Sequence, residues 1–438
     1  MTNERDLLAD DARHVWHPFT QAQTAPSPVV VTGGKGARLT TADGTEYLDL
    51  ISSWWVNMHG HGHPKIAGAI AEQAAALEHV MFAGFTHEPA VTLAKRLTDL
   101  LPAPLSRVFY SDSGATAVEI GLKIAFQSFR NRGETGRTRF IAFEGGYHGD
   151  TVGAMSVGQS CGFYEPFRDL MFPVDIVPYP ATWEGDLEVE AKEEAALAAL
   201  DRQLETTGAE TVAAIIEPLV EGAAGMRMCR PEFLRAIEAR LRAAGVLFIF
   251  DEVMTGFGRT GEMFACLKAD VTPDIVCLAK GLTGGFLPLA ATVCRESIYE
   301  SFLGESIDQA FIHGHSYTAN PIGCAAGLAS LDIFEEENSL GRVAEIEQIY
   351  RDRFQGLAGR PNVARPRILG SIAAFDVTGA DAGYGAAIGP KLKEWFMERG
   401  LLIRPLGNVV YLIPPYCIGD ADLHRAFDAI DTALDDVV

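Results

Sequence analysis

The spacing of apolar and polar residues along the chain predicts alternating helices and buried strands over most of its length. Between about residues 64 and 330, stretches with one apolar helical face alternate with short, almost wholly apolar runs. The predicted helices lie near 64–79, 87–101 and 114–131, and the predicted strands near 107–111, 139–143, 212–216, 246–250 and 275–278. Such alternation is typical of the α/β class, with a mostly parallel central sheet covered by helices on both faces.

The two ends of the chain have a different pattern and predict a smaller α+β domain. Residues 29–51 alternate between apolar and polar around an Asp43-Gly44 turn, which indicates a small antiparallel meander. After residue 330, helical patterns recur near 340–356, 386–399 and 420–436. We therefore expect three parts: an N-terminal segment, 1–60, that packs with the small domain, a large domain over 61–330, and a C-terminal small domain over 331–438.

Composition and charge narrow the class of protein. The chain of 438 residues is long enough for two domains, and its 48% hydrophobic and 21% charged residues are typical of soluble enzymes. A formal net charge of −22 argues against nucleic acid and anionic membranes as partners. The charged amino terminus lacks the apolar core of a signal peptide, and the sequence has no apolar run of about 18 residues that would span a membrane. The seven scattered cysteines indicate reduced thiols, so we expect a cytoplasmic protein.

Glycine-rich and polar segments follow the predicted strands. In an open α/β sheet, ligands bind beyond the carboxyl ends of the strands. The segments are SDSGATAVE after 107–111, EGGYHGD after 139–143, EPLVEGAAG after 212–216, DEVMTGFGRTG after 246–250 and AKG after 275–278. Small residues and functional groups that meet at one edge of a sheet predict a ligand site there.

The first of these segments is a candidate phosphate site. It leads through Ser113, Gly114 and Ala115 into the helix predicted over 114–131, whose free backbone N–H groups would suit a phosphate. A serine or aspartate that only caps this helix is the alternative explanation. The sequence has neither a GxGxxG fingerprint nor a GxxxxGK[ST] loop, so a dinucleotide or a nucleoside triphosphate is poorly supported.

Asp251 and Lys280 stand at two neighbouring strand ends and are the candidate reactive pair. Asp251 directly follows the run LFIF, and Lys280 lies between the strand 275–278 and a second apolar run, 289–293, with glycines around it. Each alone has an ordinary explanation, since an aspartate caps turns and a lysine extends to solvent. Together they supply an amine that condenses with a carbonyl and a carboxylate for a protonated ring nitrogen. With the phosphate cradle, this set describes pyridoxal phosphate chemistry.

Several motifs, in the same order along nearly the whole chain, resemble the class III, fold-type-I pyridoxal-phosphate aminotransferases. They are EGGYHGDT, IIEP, DEVMTGFGRTG, CLAKGLTGG and HGHSYTANP. Four other segments resemble the branch of this family that aminates 8-amino-7-oxononanoate to 7,8-diaminononanoate in biotin biosynthesis: WHPFTQ, SSWWVNMHGHGHP, HVMFAGFTHEPA and RPLGNVVYLIPPY. The resemblance implies a transamination that depends on pyridoxal 5'-phosphate, acts on small-molecule substrates and takes place in a homodimer with active sites at the subunit interface.

The resemblance also implies roles for residues of the cofactor site. Lys280 would form the Schiff base with the cofactor aldehyde, Asp251 would hold the pyridine nitrogen, and Tyr147 would lie against the ring. Gly114 and Ala115 would bind the phosphate through backbone N–H groups. Two residues contributed by the partner subunit of the dimer would complete the phosphate site: His315 and Ser316.

A substrate site beside the cofactor follows from the same resemblance. Besides Tyr147 and Lys280, its residues would be Trp54, Gly314, Arg404 and Tyr411. Arg404 would grip the carboxylate of the keto acid with two parallel hydrogen bonds. The pair Trp54-Trp55 would offer flat apolar walls to a long methylene chain, with one of the two in the core.

The amino donor differs within this branch, and the chain carries features of both kinds of member. The WHPF and HGHSY forms, with Phe19 where many members have tyrosine, resemble enzymes that use lysine. The tryptophan pair, HVMFAGFTHEPA and YLIPPY resemble enzymes that use S-adenosylmethionine. We predict S-adenosylmethionine as donor. The alternatives are lysine as donor to the same acceptor, or another class III aminotransferase that acts on an ω-amino acid or a diamine.

Two further motifs point to other classes of protein. GQSCG at 158–162 fits the G-x-S-x-G pattern of serine hydrolases, but the FYEP that follows is a poor start for the helix that a nucleophile elbow needs. We interpret it as a chance match. The alternating histidines at 59–63 and 313–315 would suit zinc only with further ligands, and no cysteine or carboxylate set accompanies them. We therefore predict no metal site.

Overall fold

The computed structural model describes residues 4–379 and 382–438. Its α-helices, α1 to α14, are Glu4–His14, Ser52–Trp55, Pro64–Ala76, Glu88–Leu100, Gly114–Asn131, Val152–Val157, Val189–Thr207, Pro231–Ala244, Ala265–Ala269, Glu296–Glu300, Pro321–Glu336, Ser339–Leu357, Ile388–Met397 and Asp420–Asp436. Its strands, β1 to β16, are Val31–Lys35, Arg38–Thr41, Glu46–Asp49, Leu105–Ser111, Arg139–Phe143, Asp175–Val177, Thr211–Ile216, Val220–Glu221, Arg227–Met228, Leu247–Asp251, Ile275–Leu278, Ala290–Arg295, Val363–Leu369, Ile372–Val377, Leu401–Leu402 and Val409–Leu412. Short 3-10 helices occupy Glu165–Leu170, Gly208–Glu210, Lys280–Thr283 and Ile307–Gln309.

A seven-stranded sheet forms the centre of the molecule, in the order β4-β12-β11-β10-β7-β5-β6. The pairs β11/β10, β10/β7, β7/β5 and β5/β6 are parallel. β12 pairs antiparallel with both β11 and β4, so it alone runs against the other strands of this sheet. The carboxyl ends of the remaining strands therefore share one edge. This confirms the predicted mostly parallel sheet.

Helices cover both faces of this sheet, so its strands are buried on both sides. Along β10, Phe248 and Phe250 pack in one apolar cluster with Phe233 of α8, whereas Ile249 packs in another with Val118 of α5. Successive side chains of a strand point to opposite faces, so an uninterrupted apolar run is what two helical layers require. The helix α8, which begins at Pro231, ends where Gly245 takes a left-handed φ of 65°.

The N-terminal meander is present and is joined to the C-terminal part of the chain. β1, β2 and β3 form an antiparallel ribbon, and β3 pairs in parallel with β15, with Leu48 opposite Leu401. Leu48 shares an apolar cluster with Tyr350 and Phe375. A second small sheet has the order β13-β14-β16. The association of the two chain ends follows from these contacts, while the domain boundaries at 60 and 330 stay a prediction.

Within residues 4–379 and 382–438, none of the helices combines the length and apolar character needed to cross a bilayer.

Candidate active site

A cleft of about 650 Å³ lies at the carboxyl edge of the central sheet. The segments after β4, β5, β7, β10 and β11 all contribute to its lining. Five residues predicted for the cofactor site face it together: Gly114, Ala115, Tyr147, Asp251 and Lys280. The sheet thus brings side chains that are far apart in sequence to one place, as expected for the strand ends of an α/β fold.

Lys280 begins a 3-10 helix directly after β11 and has a left-handed φ of 43°. Such a backbone conformation is unfavourable for a residue with a Cβ and is concentrated at functional sites. The Lys280 amine lies 5.1 Å from the centre of the Trp55 ring. Burial lowers the pKa of the Lys280 ammonium, although the charges of Asp251 and Glu217 oppose this shift. The amine is therefore easier to deprotonate than that of an exposed lysine.

Asp251 ends β10 and is held by a histidine that the sequence reasoning did not select. Nδ1–H of His148 donates to Asp251 Oδ2 over 2.7 Å, and the Val253 N–H donates to Oδ1 over 3.1 Å. Both side chains of the His148–Asp251 pair are almost fully buried. His148 Nε2 is buried and has no hydrogen-bond partner among the described residues. The signal was the EGGYHGD segment itself, but its pairing with Asp251 depends on the sheet order.

The start of α5 supports both explanations that the sequence left open. Ser113 and Thr116 form a reciprocal capping box, so the serine does cap the helix. Gly114 and Ala115, in the first turn, line the cleft with N–H groups that have no acceptor within an α-helix. Gly149 packs against this turn: a Cβ built on it would lie 2.4 Å from Ala115 Cβ. Only glycine allows this close approach, which brings the β5 loop onto the start of α5.

The arrangement of these groups fits pyridoxal phosphate. The cleft offers an amine of lowered pKa, a buried carboxylate fixed by a histidine, and a helix start suited to a phosphate. Tyr147, half-buried, supplies an aromatic wall, and its hydroxyl donates to Asp150 over 3.1 Å. These groups lie at the ends of different strands, so the match to the cofactor depends on several strand ends of the sheet and not on one segment.

The two tryptophans take different positions because Ser52–Trp55 form a turn with positive φ at every residue. Trp55 is buried, lines the cleft, and donates its indole N–H to the Tyr411 hydroxyl over 3.1 Å. Trp54 is 41% exposed and stacks against Arg404, whose guanidinium lies 4.8 Å from its ring centre. Of the predicted pair, Trp55 is thus the buried one, and it is also the one whose ring lies beside the Lys280 amine.

Arg404 lies in an aromatic cluster that leads from the cleft. Its guanidinium donates to the Tyr384 hydroxyl over 3.2 Å, and Tyr384 packs edge-on against Phe163 at 4.8 Å between ring centres. Phe163 in turn contacts Tyr147 at 6.2 Å. Phe19 packs against both Trp54 and Phe163, at 5.7 and 6.2 Å. The cluster connects the predicted carboxylate-binding arginine with the cofactor face.

The loop that carries Gly314, His315 and Ser316 lies beside the cleft rather than in its lining. His315 Nδ1 is 2.8 Å from Asp112 Oδ2 of the same chain, and Asp112 borders the cleft next to Ser113. Gly314 and Ser316 are exposed. Their predicted contribution to the site of a second subunit stays a prediction.

The residues of the two rival motifs have other surroundings. Ser160 Oγ accepts from the Gly145 N–H over 3.0 Å and donates to the Phe143 carbonyl over 3.4 Å, and a helix, α6, precedes it where a nucleophile elbow has a strand. His59, His61 and His63 contact three separate residues: Ser330, Asp49 and Glu337. Among the described residues, no three or more ligand-type side chains are grouped to hold a metal ion.

Comparison with known protein families supports the assignment of the cleft as a pyridoxal phosphate site. The profile of the family described as aminotransferase class-III matches residues 19–434. The chain belongs to the class III aminotransferases. Adenosylmethionine-8-amino-7-oxononanoate aminotransferase of Synechococcus elongatus is 54% identical to this class III aminotransferase over 424 residues, which cover 97% of this chain and 99% of that relative.

Solved structures of other transaminases resemble this class III aminotransferase over almost its whole length. Adenosylmethionine-8-amino-7-oxononanoate aminotransferase from Methanocaldococcus jannaschii has a TM-score of 0.93 at 36% identity, covering 99% of this chain and 100% of that one. An amine transaminase from an uncultivated Pseudomonas species, in the PLP-bound form, has a TM-score of 0.91 at 31% identity, covering 97% of this chain and 99% of that one. These likenesses confirm the predicted fold type.

Proposed function

We propose that this aminotransferase converts 8-amino-7-oxononanoate to 7,8-diaminononanoate in biotin biosynthesis, with pyridoxal 5'-phosphate as cofactor and S-adenosylmethionine as amino donor. The observation that carries the proposal is the convergence of Lys280, the His148–Asp251 pair and the start of α5 on one cleft. The substrate follows from the name of the Synechococcus elongatus relative, which is 54% identical over nearly the full length of both chains.

The residues of the cleft would divide the work of holding the cofactor. When bound, pyridoxal phosphate supplies an electron sink for the charge that develops at the substrate carbon. Asp251, oriented by its hydrogen bond to His148, would hold the protonated ring nitrogen. The amides of Gly114 and Ala115 would take the phosphate, and Tyr147 would cover one face of the ring.

Lys280 would act both as the attachment point of the cofactor and as the acid–base group of the reaction. Its amine is held beside the Trp55 ring, and burial keeps its pKa below that of an exposed lysine. A neutral amine in this position would take the proton from the substrate carbon that bears the amino group and would deliver it to the aldehyde carbon of the cofactor. Trp55 also shields the amine from water, since its ring is buried and fixed by Tyr411.

Arg404 and the aromatic cluster would bind the long chain of the keto acid. The guanidinium has hydrogen-bonding capacity beyond its single bond to Tyr384, and a carboxylate can take two parallel bonds from it. Trp54, Phe163 and Tyr147 lie between Arg404 and the cofactor face, where their rings would contact the methylene groups. Tyr411 holds the neighbouring Trp55 through its indole N–H, and Gly314 would join the substrate site from the loop beside the cleft.

We further propose a cytoplasmic homodimer that completes the site. Two loops that contact each other expose large apolar side chains: Met81 and Phe85 on one, Ile312 and Tyr317 on the other. The loops touch through His79 and Tyr317, whose ring centres are 5.1 Å apart. A second copy of the chain would cover this surface and bring its His315 and Ser316 toward the phosphate site.

The surroundings of Phe19 bear on the choice of amino donor. Phe19 packs edge-on against Trp54 and offers no hydroxyl at the position where many members of the family have tyrosine. Lysine as donor, or an ω-amino acid or diamine substrate, is therefore the second candidate. The aromatic path from the cleft to Arg404 favours an acceptor with a long apolar chain and a terminal carboxylate.

A half-reaction screen tests the function and the donor together. The cofactor-loaded enzyme is mixed separately with S-adenosylmethionine, lysine, ornithine, 4-aminobutyrate and a diamine, and the loss of the yellow cofactor band is followed. We expect rapid conversion with S-adenosylmethionine, followed by recovery of the band on addition of 8-amino-7-oxononanoate. Lys280→Ala should show neither the band nor turnover, while Lys391→Ala, an exposed lysine on α13, should behave as wild type. If only lysine converts the enzyme, lysine and not S-adenosylmethionine is the amino donor. An active Lys280→Ala enzyme would contradict the proposed role of Lys280.

A further inference from the structure

Glu217 is a buried carboxylate at the cleft whose two oxygens each hold a different backbone segment. It follows β7, the strand between β5 and β10, and only 4% of its surface is exposed. Its Oε2 accepts from the Tyr147 N–H over 3.0 Å, and its Oε1 accepts from the Gly222 N–H over 3.1 Å. One side chain therefore ties the segment after β5 to the turn after β7.

Both of these segments support a wall of the cleft. Tyr147 is the aromatic residue proposed to cover the cofactor ring. Gly222 packs directly behind two residues that line the cleft: a Cβ built on it would lie 3.1 Å from Trp55 Cζ3 and 3.0 Å from Met254 Cε. Trp55 in turn contacts the Lys280 amine. The position of the Glu217 carboxylate thus fixes the distance between the ring-covering tyrosine and the tryptophan beside the lysine.

We propose that Glu217 is a positioning residue for transamination: its carboxylate sets the spacing of the Tyr147 and Trp55 walls and does not itself react. This inference rests on the proposed function, because it concerns the same cleft. Two oxygens that each accept one amide hydrogen require a carboxyl group with both oxygens available, and the neutral amide of glutamine offers only one acceptor. The length of the side chain also matters, since an aspartate is one methylene shorter and cannot reach the N–H groups of both Tyr147 and Gly222.

The surroundings explain why such a costly group is buried here. Burial raises the pKa of Glu217 to about 7, and the two backbone amides and the nearby His148 partly offset that shift. Buried polar groups without partners are strongly unfavourable, so an acid retained at this position indicates a need that an apolar residue does not meet. A neighbouring glutamate provides a contrast: Glu221 is fully buried, and burial raises its pKa well above the usual range. Neither of its oxygens accepts a hydrogen bond among the described residues, and its partner is the side chain of Arg227, whose Nε lies 3.7 Å from Oε2.

Glu217→Gln and Glu221→Gln are a matched pair of variants for the test. Each removes a buried carboxylic acid on the same short segment, but only the first removes an acceptor of two backbone amides. Both are purified as cofactor-loaded enzymes, and two quantities are measured per bound cofactor: the single-turnover rate with the donor that reacts with wild type, and the circular dichroism of the cofactor band.

For Glu217→Gln we expect a rate lower by on the order of tenfold to a hundredfold, because displacements of about 1 Å near reacting groups have that effect. We also expect an altered cofactor dichroism, since the ring-covering tyrosine moves. Glu221→Gln should retain both properties within about twofold of wild type. If Glu217→Gln yields no folded enzyme, Glu217→Asp is measured in its place, with the same expected direction.

Two results would overturn the proposal. One is a Glu217 variant with the rate and dichroism of wild type, which would show that the spacing does not depend on this side chain. The other is an equal loss in the Glu217 and Glu221 variants, which would indicate a general effect of buried acids on stability. Failure of the proposed function is distinguishable, because wild type would then react with no donor in the screen.

Discussion

Replacement of Gly149 by alanine is the sharpest test of the contact between the β5 loop and the start of α5. The new Cβ would lie 2.4 Å from Ala115 Cβ and 2.8 Å from Ala115 Cα, at a φ of 113°. Overpacking in a rigid region costs about 1–3 kcal/mol, and an unfavourable positive φ adds about 1–2 kcal/mol. We therefore expect the free energy of unfolding to fall by about 2–5 kcal/mol.

The matched control is Gly133→Ala, at the other end of α5. Gly133 also has a positive φ, 86°, but a Cβ there would meet nothing within 4 Å. This variant isolates the backbone contribution, so its cost should be only about 1–2 kcal/mol. Urea unfolding of the two apoenzymes gives the difference, which reports the steric clash alone.

The same substitution should weaken cofactor binding, because Ala115 is proposed to supply one of the phosphate-binding amides. Loss of one hydrogen bond to a charged group is worth about 1.5–3 kcal/mol, so the Kd for pyridoxal phosphate should rise at least tenfold in Gly149→Ala and stay unchanged in Gly133→Ala. A Gly149→Ala enzyme that equals the Gly133→Ala enzyme in both stability and Kd would refute the reasoning, since it would show that the two segments do not need this close approach.

Three further predictions concern the chemistry of the cleft. His148→Gln should reduce the single-turnover rate by on the order of tenfold to a hundredfold, because the buried Asp251 loses a charge-assisted hydrogen bond; an unchanged rate would remove His148 from the site. Arg404→Ala should raise the KM for the keto acid about tenfold or more, with kcat less affected; steady-state kinetics with that acceptor would show whether KM moves. Binding of the cofactor aldehyde needs the neutral Lys280 amine, whose pKa is lowered by burial, so the rate of reconstitution of the apoenzyme should rise with pH and level off below the ordinary lysine pKa of about 10.4. The same shift makes the folded apoenzyme bind fewer protons than the unfolded chain, so the cost to folding of the buried Lys280 ammonium should diminish as pH rises through that window. A reconstitution midpoint at or above the ordinary value would contradict the assigned burial.

Most of the central sheet was predictable because its strands are buried on both faces and therefore appear as continuous apolar runs. The run 246–250 became β10, and the run after Lys280 became β12. The direction of β12 also has a simple cause: the connection from β11 is too short for the helical crossover that a parallel neighbour requires, so the strand returns antiparallel. The same logic placed Asp251 and Lys280 at one edge, and the structure brings them to one cleft.

The residues that sequence reasoning missed depend on contacts between distant segments. His148 is recognisable as functional only once β5 and β10 are known to flank β7, and Glu217 only once its two amide partners are known. The assignment of the tryptophans failed to single out Trp55 for a local reason. Residues 52–55 all have positive φ values, and such a turn follows neither the helical nor the strand period. The pattern of apolar residues therefore does not predict in which direction either tryptophan ring points.

The pairing of β3 with β15 has a consequence for how this enzyme is made in the cell. The paired residues Leu48 and Leu401 are separated by about 350 positions, and such distant contacts close late in folding. A chain shortened before residue 401 would still contain the strands around Lys280, yet β3 would lack its partner strand and Trp55 would lack the Tyr411 hydroxyl. Prematurely terminated chains that lack residues 401–412 should therefore capture no vitamin and carry out no wasteful side chemistry, because one support of the reaction chamber comes from that segment.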